Sequence, residues 1–227
     1  MLTAISAFAA TGGFLFLATL YLQEVRGMSA LWAGLHMLPM ATVMALCAIL
    51  SSRILARRGA RMPMLISGAG LITGGVLLSL LTASSAVAPI IIAFAVFGVG
   101  AGTVNAPITY TAVSGMPVSQ AGVASGIAST SRQVGQSLGV AITGSILAAN
   151  LHGGPLRTEF VQASHAAWLV LAACGAVVFV LGLVTTSRWA LGTAARTAAI
   201  FDPAEPKNPV MTSQLPQPAS KEDRNAP

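Results

Sequence analysis

Charge is what this chain has least of. Only 8% of its 227 residues are Asp, Glu, Lys or Arg, against roughly 25% in an ordinary soluble domain. Acids are scarcest: of the six, only Glu24 and Glu159 precede residue 188. No carboxylate pair sits inside an apolar run, where intramembrane acid–base chemistry would need one. Cysteine is nearly absent as well. Cys47 and Cys174 each lie within an apolar run and show no metal-ligand spacing, so packed thiols and no metal site are expected. Aromatics are 6% of the chain and are not interleaved with its basic residues. The net charge of +6 is therefore not the footprint of a nucleic-acid binder.

What the chain has is hydrophobic length. It is 55% hydrophobic, with a mean hydropathy of +0.78. Apolar runs fall at about 2–22, 31–50, 62–82, 89–112, 121–150 and 166–186. Each approaches or exceeds the ~20 residues that a helix needs to cross a 30 Å hydrocarbon layer. The expected fold class is an all-α membrane protein with six transmembrane helices over residues 1–190. The first run has no basic residues before it and is too long for a signal-peptide core, so it reads as a spanning helix. Beyond residue 190 the sequence turns to Pro, Ala, Ser, Asn and charge, and 191–227 reads as a mostly disordered tail.

Six spans place both ends on one side. The loop after the second run carries Arg53, Arg57, Arg58 and Arg61, and the C-terminal flank carries Arg188 and Arg196. The loops on the other side carry one Arg and one Glu each, Arg26 with Glu24 and Arg157 with Glu159. The positive-inside rule then makes both termini cytoplasmic. Trp32, Trp168 and Trp189 fall at expected helix ends and read as interface anchors.

The fifth run is the one that cannot simply face lipid. Stepping by threes and fours gives Gly122, Ser125, Ser129, Arg132, Gln136, Gly139 and Thr143, all small or polar. The opposite stripe is Val123, Ile127, Val134, Leu138, Ile142 and Ile146. At 3.6 residues per turn these are two faces of one helix. An arginine at a helix centre costs roughly 2.5–3.5 kcal/mol on insertion scales. Arg132 either snorkels to an interface or faces a polar path, and Ser129 and Gln136, one turn to each side, favour the path. In the fourth run Gly98, Gly100 and Gly102 permit close helix packing. Asn105 in that run is an interhelical link or a cavity residue. Pro39 in the second run frees a backbone carbonyl or kinks the helix. His36 beside it is the only titratable candidate deep in a span, and a packing role is the ordinary reading for such a histidine.

These pieces resemble a known family. Tyr21-Leu22-Gln23, Gly27, Ser29, Ala33-Gly34 and Leu38-Pro39 open the match. It continues through Arg57, Gly59 and Arg61 in Arg-x-Gly-x-Arg register, then Gly98-x-Gly-x-Gly102 with Pro107. Gly122-x-Ala-Ser-Gly126, Ser131-Arg132-Gln133-x-Gly135 and Leu138-Gly139-Val140-Ala141 complete it. In order and spacing they resemble the C-terminal six-helix half of major facilitator superfamily transporters. The branch resembled is the fourteen-helix drug:proton antiporters, the EmrB/QacA subfamily. The likeness covers about residues 1–190. It departs at Ala56, where the family usually has an acid before the Arg-x-Gly-x-Arg, and in length, since only the second bundle is present.

The resemblance implies multidrug efflux across the plasma (inner) membrane, driven by the proton gradient with no bound cofactor. It also implies a small hydrophobic or cationic drug-like substrate and a gating role for Arg57, Gly59 and Arg61. The first, second, fourth and fifth spans would line the cavity wall, with Ser129, Arg132, Gln136 and Asn105 on it. One bundle supplies one wall, so partnership with a missing N-terminal bundle is expected, and activity alone is not. A self-pairing six-helix protein is the alternative, in which a second copy replaces that bundle. An intramembrane serine protease is excluded. Gly122-Val-Ala-Ser125-Gly126 has one residue too many for a Gly-x-Ser-Gly motif, and Ser125 and His165 fall at opposite ends of their spans.

Overall fold

The structure is a computed structural model that describes residues 1–113, 121–151 and 154–185. The expected tail, Trp189, Arg188, Arg196 and the loop before the fifth span lie outside the described residues. The described elements are helical throughout: α1 (Leu2–Leu20), closed by a π-helical turn (Tyr21–Val25), α2 (Ala30–Arg58), α3 (Arg61–Ser79), α4 (Val87–Thr103), α5 (Asn105–Val113), α6 (Ala121–Ala149) and α7 (Leu156–Thr185). Five stretches are long and apolar enough to cross a membrane: Leu2–Val25, Ala30–Arg58, Arg61–Ser79, Val87–Ala112 and Leu156–Val184. α6 is as long as α2, but Ser, Thr, Gln and Arg dilute its apolar content. The chain is an all-α, multi-pass membrane protein.

Two expectations about element ends are corrected. The last helix begins at Leu156 rather than near Ala166. Pro155 opens it, and its carbonyl accepts from the Thr158 and Glu159 amides at 3.0 and 3.3 Å. From there Phe160, Ala163, Ala167, Leu171 and Val178 form one buried stripe, so the helix is held along its early turns as well. That start moves Trp168 well inside the helix. Trp168 is not an interface anchor: it is only 4% exposed and meets the Phe14 ring edge-on at 6.3 Å. Trp32, 60% exposed near the start of α2, does have an anchor's position.

The second correction is in the fourth span, which is two helices. α4 stops at Thr103 and α5 resumes at Asn105. Pro107 explains the break, because it has no N–H to give the carbonyl four residues back, that of Thr103. In a bilayer such a carbonyl needs an internal donor. The fully buried Ser51 hydroxyl of α2 supplies it, donating to the Thr103 oxygen at 2.7 Å. Ser67 of α3 donates in the same way to the Gly100 oxygen at 2.8 Å. α4 is thus tied to both neighbours through its own backbone. Pro39, by contrast, leaves α2 unbroken from Ala30 to Arg58.

The helices form two ranks. α3 and α7 pack along each other; α4 lies on α3 and α1 on α7; α2 adds to α4, and α6 to α1. The two ranks share one core, at whose centre Phe14 of α1 stacks on Phe97 of α4 at 4.4 Å and meets Phe94 edge-on at 5.1 Å. Such pairs contribute about 0.5–1.5 kcal/mol beyond their buried area. α1 and α6 approach closest. A Cβ on Gly12 would lie 2.5 Å from the Gln136 carbonyl oxygen, and one on Gly139 would overlap the Ala9 carbonyl. α2 is the least covered helix and buries only Ala33, Met40 and Ser51.

At the α1–α2 end, side chains of the π-helical turn hold the loop between α3 and α4. The Tyr21 hydroxyl donates to the Thr82 oxygen at 2.7 Å. Arg26 donates to the Ala83 and Ser85 oxygens at 3.0 and 2.7 Å.

Two substitutions test this packing. Ser51→Ala strands the Thr103 carbonyl and is expected to cost about 1–3 kcal/mol, read by denaturant titration in micelles. Adding Pro107→Ala restores a main-chain donor and should recover most of that loss. A double variant no more stable than Ser51→Ala would refute the account. Gly139→Val drives a methyl into the Ala9 carbonyl and is expected to cost at least about 3 kcal/mol. A wild-type melting curve and elution profile for it would contradict the α1–α6 approach.

Candidate functional site

α6 presents its face to α1 through small side chains. Ala124, Ala128, Ser131, Gly135, Gly139, Thr143 and Leu147 are buried, while Val123, Ile127, Val134, Leu138 and Ile142 are exposed. The polar stripe lies between these faces and turns relative to them. Ser125 and Ser129 are exposed, Arg132 and Gln136 half-buried, and Gly139 and Thr143 buried. A strict seven-residue repeat on a 3.6-residue helix drifts by about 20° per heptad, or roughly 60° from Gly122 to Thr143. The stripe therefore runs from the open side of α6 into the α1 interface, and Arg132 sits where it crosses over.

Arg132 is eleven residues into α6, roughly 16 Å along it at 1.5 Å per residue. Its guanidinium is held by two neutral groups. Nη2 donates to the Thr109 hydroxyl of α5 at 2.6 Å. The Thr109 hydroxyl in turn donates to the Asn105 carbonyl at 3.1 Å. The guanidinium carbon lies 5.7 Å from the centre of the Phe8 ring of α1, within the range of a cation–π attraction. Nε is buried and has no hydrogen-bond partner among the described residues. Neither of the two acids before residue 188 is near mid-span: Glu24 is exposed in the π-helical turn, and Glu159 binds the Gly154 amide at the start of α7.

Gln136 lies one turn further along α6. It borders an open groove of about 570 Å³ between α1 and α6, lined also by Gly12, Leu15, Phe16, Leu20 and Val140. Its walls are apolar apart from Gln136 and Thr19.

Of the four wall residues expected from sequence, Arg132 and Gln136 share this face. Asn105 is joined to it through its backbone carbonyl, and Ser129 is exposed a turn before Arg132. The group that meets Arg132 is Thr109, one turn beyond Asn105. Thr109 and Phe8 were not legible as partners. The available signal for Thr109 was its i+4 spacing from Asn105, which places both on one side of a helix. His36 is held locally, its Nδ1 2.8 Å from the Trp32 carbonyl. The Nδ1 of His165 lies 3.1 Å from the Ser79 carbonyl at the end of α3.

Arg57 in the last turn of α2, Gly59 just after it and Arg61 at the start of α3 lie at the α2–α3 junction, a separate place in the fold. Gly59 ends α2 with φ 73°, a left-handed conformation that glycine adopts without strain. Its amide donates to the Leu55 carbonyl at 3.0 Å. Arg57 and Arg61 are exposed on either side of it.

Comparison with known proteins bears on what such a face does. The chain is 35% identical over 147 residues to the multidrug resistance protein Stp of Mycobacterium tuberculosis, covering 65% of this chain and 27% of that protein. It is 35% identical over 153 residues to the tetracenomycin C resistance and export protein of Streptomyces glaucescens, covering 66% and 28%. It is 32% identical over 174 residues to the quinolone resistance protein NorB of Staphylococcus aureus, covering 76% and 37%. The chain thus spans about a quarter to a third of the length of these relatives. Residues 1–140 match the sequence model of the Major Facilitator Superfamily, and with that match over more than half its length, the chain belongs to the major facilitator superfamily.

Proposed function

We propose that this chain is the C-terminal six-helix bundle of a multidrug efflux transporter, of the drug:proton antiport type, in a plasma membrane with both termini cytoplasmic. The observation that carries the reading is the bond from Arg132 on α6 to Thr109 on α5, with Gln136 one turn further on beside an open groove against α1. Polar groups within a membrane bundle are maintained at a cost where they border a path rather than lipid. Relatives named for multidrug resistance and for tetracenomycin C export, of which this chain spans a fraction, supply the substrate class. In such folds the path runs between two bundles, so one bundle offers one wall. α1, α2, the α4–α5 span and α6 form that wall, with α3 and α7 behind it. The Arg57–Arg61 turn is its cytoplasmic gate.

The test is a chimera in which residues 1–190 replace the matching part of Stp. The chimera should export a fluorescent dye from everted vesicles, and this chain alone should not. Arg132→Ala in the chimera is expected to lower export at least tenfold with unchanged membrane insertion. Unimpaired export by the Arg132→Ala chimera would sink the assignment.

A second reading, self-pairing of two copies, is favoured by the exposure of Ser125 and Ser129 on the open side of α6. Ser129→Cys in a Cys47→Ala, Cys174→Ala background tests it. A specific crosslinked dimer in native membranes supports pairing across α6, and monomer alone rejects it.

A further inference from the structure

The sign of the charge at this face narrows what it can bind. Arg132 is the one charged side chain in the middle of a long helix among the described residues, and the groups set against it are a hydroxyl and a ring face. A guanidinium offers five N–H donors in a fixed fork. Here one nitrogen serves Thr109, and Nε is buried with no partner. A buried donor on a charged group left unmet is costly. The group that meets a guanidinium edge best is a carboxylate, which accepts two parallel bonds. Resting on the reading of this face as a drug-binding wall, we propose that Arg132 is the anchor for a carboxylate, and that its natural ligand is an amphiphilic acid with its apolar body in the α1–α6 groove.

The groove supports the second half of that statement. It begins at Gln136, about 6 Å along α6 from Arg132 at four residues of 1.5 Å rise. Its 570 Å³ lies within the 300–1,000 Å³ of typical small-molecule pockets. Leu15, Phe16, Leu20 and Val140 line it with apolar surface, and Gln136 is the lining residue nearest to Arg132 along α6. A side-chain carboxylate arriving from a facing helix would satisfy Arg132 without using the groove. An amphiphilic acid uses both. A cationic drug meets the wrong charge at Arg132, so on this wall cations are disfavoured relative to acids of the same shape. Thr109 is a positioning residue: its hydroxyl accepts from Nη2 and fixes the plane of the fork.

The experiment uses the full chain in nanodiscs of zwitterionic lipid, with empty discs as the partition control. Three fluorescent probes share one apolar body: 1-pyrenebutyrate, its neutral amide and 1-pyrenebutylamine. Saturable binding is expected for the carboxylate alone. Arg132→Gln should weaken it at least tenfold, Thr109→Val two- to fivefold, and Val140→Trp, which fills the groove, at least fivefold. Acetate should displace the probe only at concentrations orders of magnitude higher. If Arg132→Gln fails to fold, the amide and Thr109→Val comparisons still decide the matter. Equal binding of amide and carboxylate, or acid binding indifferent to both Arg132→Gln and Thr109→Val, overturns the carboxylate anchor and leaves the drug-binding wall standing. Displacement by acetate at concentrations comparable with the probe assigns Arg132 to a protein carboxylate and overturns the amphiphilic ligand. Absence of saturable binding by all three probes overturns the proposal and the wall together.

Discussion

The close approach of α1 and α6 across glycine sets the position of everything else on the candidate face. Gly12 meets the backbone of Gln136, and Gly139 meets that of Ala9. With the two backbones in contact, the Phe8 ring and Arg132, a turn before that contact on their respective helices, lie side by side. The same approach borders the groove, whose lining includes both Gly12 and Gln136. In a bilayer, hydrophobic burial does not drive helices together, so such contacts act through packing and direct polar bonds. A methyl at either glycine therefore alters the position of the arginine as well as the packing.

Backbone carbonyls impose the second constraint. With no water in the hydrocarbon layer, each one requires a donor within the protein. The fourth span meets this by borrowing hydroxyls: Ser51 for the oxygen left by Pro107, and Ser67 for that of Gly100. Ser67 lies in an otherwise apolar stretch of α3, while Ser51 stands beside Ser52 and Arg53 on α2. The role of Ser51 is legible only once Pro107 is placed four residues after the Thr103 carbonyl. The break it permits turns α5 into a short separate helix, and α5 carries Thr109 to Arg132.

Much of this fold could be read from the residues, and the limits of that reading have physical causes. The spans were visible because hydrophobic length is a one-dimensional property. The face of α6 was visible because periodicity is local to one helix. The family was visible because small residues, prolines and arginines recur in fixed order. The partner of Arg132 was not, because Thr109 is one of many threonines and its meeting with Arg132 depends on how two helices cross. The start of α7 was missed because Arg157, Glu159 and Gln162 dilute the hydropathy of its first turns, although Phe160 and Ala163 already pack. Trp168 was misplaced for the same reason, since an anchor was inferred from a helix end that lies elsewhere.

The turn that closes α1 also has a geometric effect. Along an α-helix each residue advances by about 100°, so Tyr21 and Arg26, five positions apart, would point about 140° away from each other. The π-helical pattern joins each residue to the fifth after it, and the Arg26 amide does donate to the Tyr21 carbonyl at 3.0 Å. The extra residue acts as a phase correction that brings both side chains over the carbonyls of Thr82, Ala83 and Ser85. The alignment of these two anchors is therefore a matter of counting as much as of chemistry. Deleting one residue between them would leave the pair four positions apart, where an ordinary α-helix already sets side chains about 40° from each other, so the π-helical turn is what lets the five-position spacing serve one loop.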